Sequence, residues 1–202
     1  MNELDKIYDG IAADYERGRN IFNNTAQLEM LAEKIPAHAD VLDAGCGSGI
    51  PVLKFFIDHG CRVTGTDISA EMLALAAKNS PAAELIQKDT AELDFPADSF
   101  DLITSIYTLF HMSMECQVSA FGKFYTMLRA SGIACFTLAT ETYTGAPEFS
   151  GMKQFKDVEL PYHHVTPEKY AELLTATGFK ILSAEHLKIG RETMLWMLVQ
   201  KE

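Results

Sequence analysis

The segment Val41-Leu42-Asp43-Ala44-Gly45-Cys46-Gly47-Ser48-Gly49 decides the fold class of this chain. Its first four residues are typical of a short strand, and three glycines at alternating positions follow directly. Glycine lets the backbone turn sharply and approach a ligand with no Cβ atom in the way. A dinucleotide-binding fingerprint, G-x-G-x-x-G/A, would need a small residue where Ile50 stands. The turn therefore argues against a nicotinamide oxidoreductase.

Short β-branched runs alternate with helical patterns along the rest of the chain. We predict strands at 62–67, 84–88, 101–107 and 133–138, and helices at 51–59, 69–78, 115–129 and 166–178. Val118, Phe121, Phe124, Tyr125 and Leu128 form the predicted apolar stripe of the 115–129 helix. The closing runs 180–187 and 193–200 predict a hairpin around Gly190. This alternation implies a mainly parallel sheet with helices on both faces, whose ligands bind beyond the carboxyl ends of the strands.

Length and composition indicate one soluble globular domain. The chain has 202 residues, of which 48% are hydrophobic and 22% charged, the usual balance for such a domain. Its net charge of −11 makes nucleic acid or an anionic membrane a poor partner. No run of about 18 apolar residues is present to insert into a bilayer, and the N-terminus lacks the pattern of a signal peptide. We therefore expect a cytoplasmic protein.

The four cysteines predict neither a metal site nor a disulfide framework. They are scattered along the chain at positions 46, 61, 116 and 135, without a C-x-x-C pair. Each falls in an apolar run, where a reduced cysteine behaves as a small hydrophobic residue. We expect no bound metal and a reducing compartment.

Carboxylates follow the second and third predicted strands. Asp67 ends the second strand, where a carboxylate can accept both hydroxyls of a ribose. The alternative for Asp67 is that it caps the helix beginning near Ser69. Asp89, followed by Thr90, comes directly after the third strand, where it would either accept from an adenine amino group or end a loop.

In this order, these features resemble the class I S-adenosylmethionine-dependent methyltransferases, specifically the small single-domain branch acting on small molecules. The resemblance rests on the glycine turn, Asp67, Asp89, the 101–106 segment, the N-terminal segment Tyr8–Tyr15 and the helix end at Gly178-Phe179. It covers nearly the whole chain except about 141–164.

The resemblance implies an α/β, three-layer, Rossmann-like doubly wound sheet. This sheet would be mainly parallel, with an antiparallel C-terminal hairpin strand and the order 3-2-1-4-5-7-6. One methyltransferase domain would span 1–202, with an N-terminal helical cap at 1–35. The long connection at 141–164, which has apolar anchors, favours a lid or acceptor loop over a poorly ordered excursion.

The same resemblance implies the cofactor S-adenosyl-L-methionine, the product S-adenosyl-L-homocysteine and a set of contacts. Gly45 and Gly47 would pack against the methionine moiety, with Asp43 beneath them either orienting the loop or meeting the cofactor's ammonium through water. Tyr15 and Arg19 would close over the methionine end of the cofactor. The remaining contacts would come from Asp67 to the ribose and from Ile68, Met72, Asp89, Thr90 and Ile106 around the adenine and the methyl-transfer cavity.

Three histidines are candidates for general-base catalysis. A base is needed only where the acceptor must lose a proton. His111 follows the fourth strand, close to where the methyl group would point, although it could equally serve packing. His163 and His164 precede the last helix, and they would either approach the same cavity mouth or be ordinary loop residues.

The sequence thus predicts methyl transfer to an O, N or C atom of a small-molecule acceptor. One alternative is another user of sulfonium nucleotides such as an aminopropyltransferase, although the segment 105–108 lacks the acidic tract expected there. Another is a catalytically silent protein that binds S-adenosylmethionine and acts by interaction. The acceptor stays open at this point, and so does the choice between monomer and homodimer.

Overall fold

A computed structural model describes residues 3–18, 24–155 and 158–202, without the side chains of residues 3 and 13–18. Its strands are β1 (Asp40–Ala44), β2 (Arg62–Asp67), β3 (Glu84–Gln87), β4 (Phe100–Ser105), β5 (Leu128–Leu138), β6 (Phe149–Phe155), β7 (Val158–His164), β8 (Phe179–Ile189) and β9 (Glu192–Lys201). Seven of them form one sheet in the order β3-β2-β1-β4-β5-β9-β8. Strands β1 to β5 pair in parallel, and β9 runs antiparallel to both of its neighbours. The predicted fold and strand order are confirmed.

Side-chain caps and a glycine mark the ends of two of the helices. They are α1 (Glu3–Gly18), α2 (Thr25–Ala32), α3 (Val52–Asp58), α4 (Ala70–Asn79), α5 (Met114–Met127), α6 (Glu141–Thr144) and α7 (Pro167–Thr177). The hydroxyl of Ser69 caps α4 by accepting from the Met72 amide at 3.1 Å. The hydroxyl of Thr166 caps α7 in the same way, and Gly178 ends that helix at φ 109°. These caps agree with the sequence signals.

The core lies on both faces of the sheet, because neighbouring strand residues point to opposite sides. Val41 belongs to one buried cluster and Leu42 to the other. The segment Met194–Val199 is buried throughout, as expected of a strand covered on both faces. Helix α5 departs from the predicted stripe, since Val118 is 40% exposed and Gln117 is buried.

Residues 141–164 hold regular structure that the sequence patterns did not indicate. After α6, strands β6 and β7 pair antiparallel as a two-stranded ribbon. The ribbon packs against the short 3-10 turn Leu109–His111 that follows β4. Within the described ranges, no helix combines the length and apolarity required to traverse a bilayer.

Candidate active site

A cavity of about 310 Å³ lies at the carboxyl ends of the central strands, where a doubly wound sheet places its ligands. It brings together most of the residues predicted to bind a cofactor. Those lining it are Gly45, Gly47, Asp67, Ile68, Met72, Asp89, Thr90 and Ile106.

The glycine turn forms the floor of the cavity. The amides of Gly45 and Cys46 both donate to the Thr66 carbonyl at 2.8 Å, which anchors the turn to β2. Gly45 has φ +81°, and a Cβ there would lie 2.3 Å from the Thr108 hydroxyl oxygen. Gly47 has φ +54°, and no described atom lies within 4 Å of the position its Cβ would take. The Gly47 backbone is therefore open to a ligand.

Asp67 fixes this turn relative to β2. Its Oδ2 accepts from the Gly47 amide at 2.8 Å, and its Oδ1 accepts from the Ser69 amide at 2.9 Å. Burial is the main cause that raises the pKa of this carboxyl, and the nearby Asp9 carboxylate adds to it. The Ile68 amide also donates to this carboxylate, which has about four acceptor sites, so one site remains for a further donor. Asp67 thus serves the fold while it faces the cavity.

The far wall combines a short polar turn with apolar side chains. Asp89 caps the 3-10 turn Thr90–Glu92, with its Oδ1 accepting from the Ala91 amide at 2.9 Å. Asp89 and Thr90 line the cavity together with Ile68 and Met72. A cavity with both polar and apolar side chains suits a flat heterocycle with an exocyclic amino group.

Asp43 lies behind the glycine turn rather than in the cavity wall. It is buried, and its Oδ1 accepts from the Thr104 hydroxyl at 2.8 Å. This hydrogen bond ties Asp43 to β4, and both of its expected roles stay predictions.

His111 lines the cavity with a defined tautomer. Its Nδ1 lies 2.8 Å from the Pro161 carbonyl; that oxygen can only accept, so Nδ1 carries the hydrogen and Nε2 the lone pair. Burial lowers the pKa of His111 to about 4. The imidazole is therefore neutral at physiological pH, with an acceptor nitrogen beside the cavity.

Aromatic rings surround this imidazole. Tyr162 meets it edge-on at 4.7 Å between ring centroids, and Tyr8 does so at 6.0 Å. Tyr162 also stacks on Tyr143, and their hydroxyls lie 3.1 Å apart. The ribbon thus contacts His111 through the Tyr162 ring and the Pro161 carbonyl, and Tyr8 contacts it from α1.

The structure does not bring His163 and His164 to the cavity. Nδ1 of His163 lies 2.9 Å from the Ser150 hydroxyl, across the ribbon. His164 is buried with its Nε2 at 2.7 Å from the Thr144 hydroxyl. Neither is among the described residues that line the cavity, because both side chains are engaged within the connection itself. Their expected role as bases has no support in this geometry.

Two other expected contacts lie outside the description. Arg19 and the side chain of Tyr15 belong to the part of the chain that is not described. Several wall residues were not singled out from the sequence as cofactor or catalytic contacts, and these include Leu4, Tyr8, Thr108, Met112, Ser113 and Cys116. Tyr8 lies in the N-terminal segment that carries the resemblance, which was the available signal.

No group of three or more histidine, cysteine or acidic side chains suited to a metal occurs among the described residues. All four cysteines are free, and Cys46 and Cys135 are buried. Burial raises the pKa of the Cys46 thiol well above its ordinary value and that of Cys135 to about 12.

Comparison with known proteins agrees with this geometry. Residues 41–132 match the methyltransferase domain family. The malonyl-(acyl-carrier protein) O-methyltransferase of Enterobacter lignolyticus is 34% identical over 128 residues, which cover 62% of this chain and 49% of that relative. The phosphoethanolamine N-methyltransferase of Plasmodium falciparum is 31% identical over 156 residues, 74% of this chain and 57% of the relative. The chain thus spans about half the length of these curated relatives.

A solved structure shows the same fold. The 1,6-didemethyltoxoflavin-N1-methyltransferase of Burkholderia thailandensis, with 1,6-didemethyltoxoflavin and S-adenosylhomocysteine bound, superposes with a TM-score of 0.69. It is 23% identical, and the match covers 96% of this chain and 87% of that one. Fold and cavity together define a Rossmann-like protein with a cavity at the carboxyl ends of its central strands. Residues 41–132 belong to the methyltransferase domain family, and the chain shares its fold with this S-adenosylmethionine-dependent enzyme.

Proposed function

We propose that this protein transfers the methyl group of S-adenosylmethionine to a small-molecule acceptor. The observation that carries the proposal is the cavity in which the open Gly47 backbone, Asp67 and Asp89 meet. These residues come from the ends of β1, β2 and β3, which the chain brings together only through the parallel order of the sheet.

The residues present fit the cofactor. Gly47 leaves room at its Cβ position for a ligand to lie against the backbone. Asp67 keeps acceptor capacity for a ribose hydroxyl, and Asp89 can accept from the adenine amino group. Ile68 and Met72 supply the apolar contacts to the base. Tyr15 and Arg19 remain proposed contacts for the methionine end.

When bound, S-adenosylmethionine supplies an electrophilic methyl group on a sulfonium and leaves as the neutral thioether. The chain's contribution is to hold the acceptor in line and to exclude water, which lowers the barrier through positioning. Ile106 and Tyr107 line the cavity between the cofactor contacts and His111. We assign to Nε2 of His111 the hydrogen bond from an acceptor O–H or N–H, and it takes the proton that this group loses.

The connection at 141–164 belongs to the acceptor side of this proposal. Its Pro161 carbonyl holds His111, and its Tyr162 ring packs on the same imidazole. We therefore assign it the role of holding His111 from outside the cavity lining, and its expected role as a lid or acceptor loop stays a prediction.

Fluorescence of Trp196, the single tryptophan of the chain, offers a direct test. Its ring meets Tyr107 edge-on at 6.4 Å, and Tyr107 lines the cavity. Titration with S-adenosylhomocysteine should change this fluorescence and give saturable heat in calorimetry, whereas NADH should do neither. Absence of binding, or equal binding of NADH, would overturn the proposal. Incubation with S-adenosylmethionine and mixed small-molecule acceptors should yield methylated product by mass spectrometry; binding without any product would favour a catalytically silent protein.

A further inference from the structure

The charge of the cavity restricts the class of acceptor. Two carboxylates, Asp67 and Asp89, line it, and the carboxylate of Asp9 acts electrostatically on Asp67 from α1. Among the described lining residues there is no lysine or arginine. The one titratable nitrogen in the described wall is the imidazole of His111, which is neutral. The described wall therefore offers no cation that would compensate the desolvation of an anionic acceptor.

The first turn of α5 adds no uncompensated positive charge to the described cavity wall. Ser113 and Cys116 line the cavity, so the positive end of the helix dipole lies beside it. The Ser113 hydroxyl accepts from the Cys116 amide at 3.3 Å and donates to a Glu115 carboxylate oxygen at 3.1 Å. This turn already carries its own cap and its own negative charge.

The polar contact that this wall offers to the acceptor is instead a nitrogen lone pair of His111. The Pro161 carbonyl fixes the hydrogen on Nδ1 of His111, which leaves Nε2 as an acceptor within a wall of apolar and aromatic residues. Such a nitrogen pairs with a neutral O–H or N–H donor and offers nothing to a phosphate or a carboxylate.

Resting on the proposed function, we infer that the acceptor is a small uncharged molecule whose nucleophilic atom carries a hydrogen, such as a phenol or a neutral aromatic amine. Nε2 of His111 receives the hydrogen bond from that atom, and acceptors bearing a phosphate or carboxylate are rejected. In this the chain differs from the relative named for phosphoethanolamine, whose acceptor carries a phosphate. Methylation of the acceptor atom releases one proton to His111, which then passes it to solvent.

Alkylation of Cys116 measures acceptor binding without turnover. Cys116 lines the cavity, whereas Cys61 is similarly half-buried but lies outside it, so Cys61 serves as an internal control. Protein loaded with S-adenosylhomocysteine is treated with iodoacetamide in the presence of p-cresol, p-toluidine, p-toluate or p-tolyl phosphate, and both cysteines are followed by mass spectrometry. The neutral probes should slow the alkylation of Cys116 alone. Their half-protecting concentrations should be at least about tenfold lower than those of the anions.

A matched pair of probes tests the hydrogen bond itself. The variant His111→Asn keeps a donor for the Pro161 carbonyl and removes Nε2. It should weaken protection by p-cresol about fivefold, the effect of one lost hydrogen bond, while protection by p-methylanisole, which has no O–H, stays unchanged. A second variant, Met112→Lys, adds a cation to the wall and should make p-toluate protective.

Equal or better protection by the anions, or no protection by either neutral probe, would overturn the inference. It would also be overturned if His111→Asn weakened protection by p-cresol and by p-methylanisole equally. Failure of the proposed function is a separate result, because S-adenosylhomocysteine would then leave the fluorescence of Trp196 unchanged before any acceptor is added.

Discussion

The buried neutral His111 makes a specific contribution to the pH dependence of stability. Its pKa is about 4 in the folded protein, against an ordinary value of 6.5. Between these values the unfolded chain binds a proton that the folded protein does not, so the free energy of unfolding falls as pH falls. The contribution is fully present above pH about 6.5, and it is lost progressively down to about pH 4.

The magnitude follows from the two pKa values. Lowering the pH from about 7.5 to about 5.5 should cost the folded protein about 1.3 kcal/mol through this residue. Nearly all of this cost arises from protonation of the unfolded state, because the folded pKa lies well below the lower pH. The raised pKa of Asp67 acts with the opposite sign, so the comparison needs a variant that keeps Asp67 and removes only the imidazole.

Urea unfolding of the wild-type protein and of His111→Asn at both pH values provides the comparison. Asparagine does not titrate, and its amide nitrogen can still donate to the Pro161 carbonyl. Between pH about 7.5 and about 5.5, the free energy of unfolding should fall by about 1.3 kcal/mol more in the wild-type protein than in the variant. Parallel losses in the two proteins, or a wild type that gains relative to the variant, would refute the view that His111 is buried and neutral.

Three further outcomes are expected. Asp67→Ala should weaken S-adenosylhomocysteine binding at least about tenfold, because one carboxylate contact to the ribose is lost. Calorimetry should show unchanged affinity in the surface control Asp58→Ala. Unchanged affinity in Asp67→Ala would contradict the assignment. Gly45→Ala should unfold at clearly lower urea than Gly47→Ala, because only the first places a Cβ against Thr108. Gly47→Ala should cost only about 1–2 kcal/mol of stability yet impair cofactor binding, and the reverse ranking would reject the geometry of the turn. Thr166→Ala should lower the free energy of unfolding by about 1 kcal/mol through the lost cap, and no change in urea denaturation would argue against that cap.

The gathering of the proposed cofactor contacts in one cavity was predictable, because their residue types and their place at strand ends are visible in the sequence. These contacts are Gly45, Gly47, Asp67 and Asp89, which occur at strand ends. The parallel sheet brings such ends to one edge. Of the two sequence interpretations of Asp67, the helix cap falls to Ser69 instead, with Asp67 accepting from the Ser69 amide, and the ribose contact stays a prediction.

The acceptor side could not be predicted in the same way. The contact that fixes His111 comes from the backbone carbonyl of Pro161, and a carbonyl oxygen has no signature in the sequence. The burial of Gln117 was equally unpredictable from the sequence, because a polar residue on a helix is normally taken as exposed. Gln117 is buried because its amide donates to the carbonyls of Met112 and His163 and its oxygen accepts from the Tyr170 hydroxyl.

The main-chain origin of the Pro161 contact has an evolutionary consequence. Every amino acid supplies a carbonyl, so the ribbon β6-β7 can exchange side chains while it continues to orient the imidazole. Substitutions of these side chains therefore leave the orientation of the imidazole intact. Under the proposed function, the insertion can diversify in descendants of the chain while His111 keeps its place.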